Sequence, residues 1–456
     1  MHDLRKQALL ESGKTVSRKA RSRAAGGGGG TPSSSRANSA APSRGGSRVP
    51  SRNVSDDEAE LSDGTQWSGA SIDEMIAPGT EADAVPEEVW KEALRERMDE
   101  LAGSRRKGSS EGREESLTGF VTILTRHYAA DEVRARREET VQVLLKSVKA
   151  DATDKEVVLA LKALALLVIT EPSDTVSDAL SGPLKTCIND SQYPTAKIAA
   201  IHTLSITTFY GGASMEQTED LMSYLLDIVS SDGAVIDAAD NAALVTAALE
   251  EWGFIATQVE DMSESTPEGM ETLIEQLDSA DVDVQIAAGE NIALLYEKSY
   301  TEAESDDEAA EEDQSIPTNG HTNGHSTRMI KRYNPIQGDE HQLIQTLSAL
   351  AKTSSKRLSK SSRKRLHLAF TDILNTVENP TRGPRYSTAL DEEGREMGSR
   401  LKIAIGGPGG GKMTIDSWWK LHRLNALKRL LREGFLVHYE ENQVVFDSLP
   451  VVVEED

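Results

Sequence analysis

With 456 residues and a formal charge of −25, the chain is long enough for two or three domains, yet only 38% of it is hydrophobic, which implies long stretches that bury nothing. The charge is unevenly placed: residues 1–55 carry 11 Lys and Arg against two acids, residues 328–456 carry 21 against 16, and the stretch between holds a net −39. A single cysteine, Cys187, excludes a disulfide framework and a thiolate zinc site, and the longest clean apolar run, Ala163 to Ile169, is far shorter than the ~20 residues of a membrane helix.

Residues 1–85 read as a disordered basic tail rich in Ser, Arg and Gly. Its cations Arg18, Lys19, Arg21, Arg23, Arg36, Arg44, Arg48 and Arg52 suit a flexible arm that binds nucleic acid or serves as an import signal. The Arg- and Ser-rich composition also resembles a mitochondrial transit peptide, but the glycine run at 26–30 breaks the amphipathic helix such a peptide needs. The expectation is a reduced intracellular protein, in the cytoplasm with the nucleus as second compartment.

Residues 86–300 predict helices nearly throughout. Apolar residues recur at steps of three and four: Val157, Leu161, Leu164, Val168; Ile198, Ile201, Leu204; Leu244, Ala248, Trp252, Ile255; Val284, Ala288, Ile292, Leu295. Pro194, Pro267 and Gly211–Gly212 fall where helix boundaries belong. The segments beginning at Glu156, Ala196, Asn241 and Val284 resemble one another. Their alanine pairs at 199/200, 242/243 and 287/288 stand 43 to 45 residues apart, within the ~40–47 residues of HEAT and armadillo repeats. The fold class expected is therefore all-α: an armadillo/HEAT-like α-solenoid, followed by a small helical C-terminal domain and flanked by disordered tails.

Residues 301–333 read as an acidic low-complexity linker, with eight acids between Glu302 and Asp313. His321 and His325 stand four apart within its Asn-Gly repeat, which would not hold the helix that paired metal ligands need. Residues 334–456 read as a basic C-terminal domain. Helices are expected over Asp339–Lys352, Ser355–Val377 and Ile415–Arg432, with 435–447 as a short strand or a docked extended tail.

The run Gly406-Gly-Pro-Gly-Gly-Gly411-Lys412-Met413-Thr414 resembles a phosphate loop but puts methionine where the magnesium-binding hydroxyl belongs. A glycine-rich linker is the better reading. Cys187 has no base beside it in sequence, and neither a catalytic residue nor a cofactor or metal is expected. The basic segment is more informative. Lys356, Arg357, Lys360, Arg363, Lys364 and Arg365 fall within ten residues without an acid, followed by the stripe Leu366, Phe370, Ile373 and Val377. One helix would dock by that stripe and offer its cations to solvent. A second cluster interleaves Lys412, Lys420, Arg423, Lys428, Arg429 and Arg432 with Trp418, Trp419 and His422. Cations mixed with aromatic planes suit RNA, with one tryptophan inside and the other free to stack. Ser55 and Ser305 each open a Ser-Asp-Asp-Glu tetrapeptide and are candidate sites for an acid-directed kinase.

These pieces resemble the interferon-related developmental regulator family. The stretch Lys360 to Glu378 is similar to the family's basic-then-amphipathic segment. Ile415-Asp-Ser-Trp418 and Gly434-Phe-Leu-Val-His438-Tyr-Glu-Glu-Asn442 are similar to its later motifs. The chain departs from the family pattern in the run at 406–411 and in the ending Val444 to Leu449. The resemblance implies a non-enzymatic armadillo-like protein, either a transcriptional co-regulator or a ribosome-binding one that keeps ribosomes translationally silent. The leading expectation is a monomeric regulator that contacts ribosomal RNA through its basic C-terminal helices. Its solenoid groove would take regulatory proteins, and neither a membrane nor a small-molecule substrate is expected. The alternative is a nuclear co-regulator scaffold built on the acidic solenoid.

Overall fold

The computed structural model describes residues 86–103, 110–302, 315–317, 328–338, 340–353, 357–390, 394, 396–405, 412–450 and 453–454. The N-terminal tail with Ser55, the acidic stretch with Ser305, the two linker histidines, Lys356 and the glycine run at 406–411 lie outside the described residues.

Six helical hairpins are stacked in order among the described residues: α1 (Glu87–Ala102) with α2 (Ser110–Arg126), α4 (Arg137–Ala150) with α5 (Asp154–Thr170), α6 (Val176–Asp190) with α7 (Pro194–Tyr210), α8 (Met215–Ser230) with α9 (Ala242–Ala256), α10 (Thr266–Gln276) with α11 (Val282–Lys298), and α12 (Glu340–Ala351) with α13 (Lys360–Glu378). A short helix, α3 (Ala130–Arg134), links the first two. The second helices pack on one another as a continuous row, α2 on α5, then α7, α9, α11 and α13. This is an all-α solenoid. The row continues past the acidic linker, because α13 packs on α11, so the repeat stack runs on into the segment beginning at 334.

The row can be this close because each central helix has alanine at the same place. Ala160, Ala200, Ala248 and Ala288 each stand six residues after the start of their helix and are fully buried. Their spacings are therefore 40, 48 and 40 residues, which corrects the regular 43–45 period read from the alanine pairs. The counterpart in α9 is Ala248, not Ala242/Ala243, because a 3-10 turn (Ala234–Ile236) and the loop after it lengthen that one connection. Helix starts follow the expected chemistry. Thr153, Asn241, Asp281 and Ser359 cap by side chain, Ser214 and Gln217 form a capping box, and Pro194 opens α7.

Strands fill the connections. β1 (Tyr300–Glu302), β2 (Ser315–Pro317) and β3 (Arg328–Lys331) make an antiparallel sheet in the order β1-β3-β2 within the linker. After α13 come the hairpin of β4 (Tyr386–Leu390) and β5 (Glu396–Ser399), and a sheet of β6 (Lys402–Ala404), β7 (Lys412–Thr414) and β8 (Val453–Glu454). The chain ends in α14 (Trp418–Leu431), α15 (Phe435–Glu441) and α16 (Gln443–Ser448). The expected strand or extended tail at 435–447 is thus two short helices. Neither is long enough to be stable alone; burial of Phe435, Tyr439, Val445 and Leu449 holds them. All three helices lie across the inner row: α14 on α2, α5, α9 and α11, α15 on α2, and α16 on α5.

Candidate nucleic-acid interface

Helix α13 is amphipathic in the way its sequence requires. Leu366, Phe370, Ile373 and Val377 are all buried, packed among α11 and α12. Phe370 and Ile373 lie so close to Gly289 of α11 that a β-carbon there would meet them at 3.0 and 2.7 Å. Opposite this stripe, Lys360 and Lys364 are exposed and Arg363 is half-buried. Their spacing of three and four residues puts all three on one side of the helix. Arg357, just before the helix, is exposed as well. Arg365 turns the other way and pairs with Asp283 at the start of α11. Lys352, exposed just past α12, adds a cation that the local sequence pattern did not single out. It is placed there because His367 of α13 contacts the carbonyl of Ala351. A rigid helix docked by its apolar side therefore holds a small solvent-facing cationic face.

The second basic cluster is arranged differently. Trp418 is fully buried, with its indole N–H donating to Thr376 Oγ1 at 2.7 Å, and presents no face to a base. Arg423 donates to Thr257 Oγ1 at 2.9 Å, to the Thr257 carbonyl at 3.1 Å and to the Ser448 carbonyl at 3.0 Å. Arg429 Nη1 lies 2.5 Å from Glu251 Oε1 and 3.2 Å from Glu250 Oε2, and His202 Nδ1 is 2.7 Å from the same Glu251 oxygen. Burial opposes ionisation of Glu251, but Arg429 and His202 outweigh it and hold the carboxyl below its usual range. Lys428 is buried against Phe435. His422, wholly inside, is pushed down to about 4 by burial and stays neutral. Lys420 pairs with Asp416 at 2.6 Å. Lys412, on β7, and Arg432 are exposed. Trp419 is half-buried with Arg423 stacked 4.9 Å from its ring centre. Four of its six cations are therefore committed to the protein's own contacts, whereas Lys360 and Lys364 of α13 are turned outward together.

The later motifs explain that commitment. Glu297 of α11 accepts from the backbone N–H groups of Trp418 and Trp419 at 2.6 and 3.1 Å, capping α14, whose Ser417 makes no side-chain cap. Burial pushes this carboxyl up to about 7, against the pull of the two amides. Gly434 passes so near α2 that a β-carbon would lie 1.7 Å from the Thr125 carbonyl. His438 Nε2 lies 3.0 Å from the Leu124 carbonyl, and Asn442 donates to the Ile169 carbonyl at 2.9 Å. Those carbonyls sit at the ends of α2 and α5, where the last turn has no helical partner. Arg423 performs the same task beyond α9. The C-terminal motifs thus fasten α14–α16 over the open ends of the inner row.

The run at 406–411 joins β6 to β7, two antiparallel strands paired Ile403 to Met413. A phosphate loop needs a helix after it to supply amides and dipole; here a strand follows. Among the described residues no cluster of metal-ligating side chains occurs, and no helix is long and apolar enough to cross a membrane.

The model of the family described as interferon-related developmental regulator (IFRD) matches residues 54–378, ending where α13 ends. The chain belongs to this family. An uncharacterised protein of Schizosaccharomyces pombe is 28% identical over 362 residues, 78% of this chain and 73% of the relative. Interferon-related developmental regulator 1 of Sus scrofa and that of Homo sapiens are each 24% identical over 428 residues, 88% of this chain and 82% of theirs. In this IFRD chain the family match takes in all six hairpins and the basic helix.

Proposed function

We propose that this IFRD protein is a non-enzymatic regulator that binds ribosomes through RNA phosphates and promotes their translational inactivity. The observation that carries the reading is the cationic face of α13: Lys360 and Lys364 exposed, Arg363 beside them, on a helix whose other side is locked into the solenoid. Preorganised cations of this kind recognise a polyanion without base specificity, and their affinity falls with salt. Trp419 of the second cluster is only half-buried, with Arg423 over its ring, and would meet RNA by its exposed edge. The cytoplasm is the compartment where this activity belongs. The test is sedimentation of lysates from growing and starved cells through sucrose gradients at low and moderate salt. Co-migration with monosomes rather than polysomes, lost as salt rises, supports the reading. Retention at the top under every condition rejects it.

A second reading, a nuclear scaffold for basic tails of regulators, draws on a cleft of about 420 Å³ between the α8–α9 and α10–α11 hairpins, lined by Asp232, Asp240, Glu275, Asp278 and Asp281. Nuclear accumulation that depends on residues 1–55 would favour it.

A further inference from the structure

A cavity of about 260 Å³ opens where α14 crosses α5 and α7. Its walls are mostly apolar, formed by Val158 and Ala165 of α5, Ile198 and Ile206 of α7, and Leu430 of α14, with the paired His202, Glu251 and Arg429 on one side. Two cations border it: Lys162, half-buried on α5, and Arg432, exposed at the end of α14. Among the described residues neither side chain has a hydrogen-bonded or ion-paired partner. Burial first, then Arg432, push the Lys162 ammonium down to about 8, with the nearby Glu433 opposing. Arg432 also has φ 46° and ψ −124°, a backbone conformation that costs a non-glycine residue energy and persists only where the surroundings enforce it.

Two cations without a hydrogen-bonded or ion-paired carboxylate, beside a largely apolar cavity, are complementary to an anion carried next to an apolar side chain. We propose that this cavity is a docking site for an acidic peptide of a partner protein, an aromatic or aliphatic side chain filling the space and an adjacent carboxylate bridging Lys162 and Arg432. The chemistry favours a peptide over RNA or free phosphate. The walls are mainly aliphatic; the one ring among them, His202, and the inner cation, Arg429, are both tied to Glu251, and the cations left for a ligand stand at the rim. The site uses α5, α7 and α14, so it is separate from the α13 face and from the ribosome reading that rests on it.

The test uses the full chain and fluorescein-labelled peptides in which a single phenylalanine is flanked by glutamates, read by anisotropy. A version with lysines for the glutamates and one with alanine for the phenylalanine serve as controls. Binding by the acidic aromatic peptide, about tenfold or more weaker to Lys162→Gln and to Arg432→Gln, and absent for both control peptides, supports the proposal. Ala199→Leu, narrowing the cavity at its α7 wall, should also weaken it while α13-dependent ribosome sedimentation stays as in the parent. Three results overturn the proposal: no binding of the acidic aromatic peptide to the parent protein, equal binding by the glutamine variants with unchanged melting temperatures, or equal displacement by inorganic phosphate and by the unlabelled peptide.

Discussion

Glu297 and Trp418 are 121 residues apart in sequence, yet the carboxylate of one caps the helix that the other begins, at 2.6 Å. An acid on the fifth hairpin thereby orients the whole C-terminal segment. The second oxygen takes the next amide, of Trp419, so two otherwise orphan donors are satisfied by one side chain. Replacing Glu297 with Ala should lower stability by about 1–2 kcal/mol, with Gln restoring part of the loss. Urea unfolding followed by circular dichroism and by tryptophan fluorescence measures this; fluorescence should report it, because two of the five tryptophans, Trp418 and Trp419, sit at the capped end.

Gly434 and Asn442 anchor the same segment farther along. A β-carbon at Gly434 would overlap the Thr125 carbonyl, so Gly434→Ala should cost about 1–3 kcal/mol through forced displacement of α15. Asn442→Ala leaves the Ile169 carbonyl without its donor and should cost about 1–3 kcal/mol. Both changes should raise hydrogen exchange at the C-terminal ends of α2 and α5 before they unfold the stack.

Truncation after residue 410 should not leave an intact solenoid. Removing α14 uncovers the surfaces now covered by Leu421, Leu424, Leu427 and Leu431, all fully or nearly fully buried. It also leaves Glu251 buried without Arg429, and a buried charge that loses its partner is strongly destabilising. The truncated protein should melt well below the full chain and bind a hydrophobic dye. An unchanged melting temperature would contradict this.

Glu290, on α11, gives a pH signature. Burial first, then the nearby Glu250 and Asp372, push its carboxyl up to about 8, with Arg365 opposing. An unfolded glutamic acid releases its proton near its ordinary value of 4.5. Between these values the native state binds the extra proton, so this contribution to stability is full below about 4.5 and is lost as pH rises through about 8. Glu290→Gln should flatten the fall in urea midpoint between pH 5 and 8.5 and be the more stable protein at the alkaline end.

Much of this was legible in sequence, and the remainder was hidden for a physical reason. The stripe Leu366, Phe370, Ile373, Val377 revealed the inward side of α13 because helical periodicity is local. Trp418, Arg423 and Arg429 had the composition of an RNA-binding patch. Their partners Thr376, Thr257 and Glu251 come from 42 to 178 residues away in sequence, and no spacing rule reaches that far. The short helices α15 and α16 escaped for the same reason, since tertiary burial makes them. The alanine register was visible but shifted, because one lengthened connection before α9 moved the true match from Ala243 to Ala248.

The outward face of α13 is the centre of the functional account, and its direct test is pelleting with purified ribosomes over a salt series. Lys360→Glu/Lys364→Glu is compared with Lys146→Glu/Lys149→Glu, an equal charge change at exposed positions on α4. The first pair should keep the parent melting temperature, weaken ribosome binding about tenfold or more, and reduce the slope of log affinity against log salt by roughly 1.5. The second pair should bind as the parent does. Equal binding by all three proteins, with one common salt slope, would contradict the account.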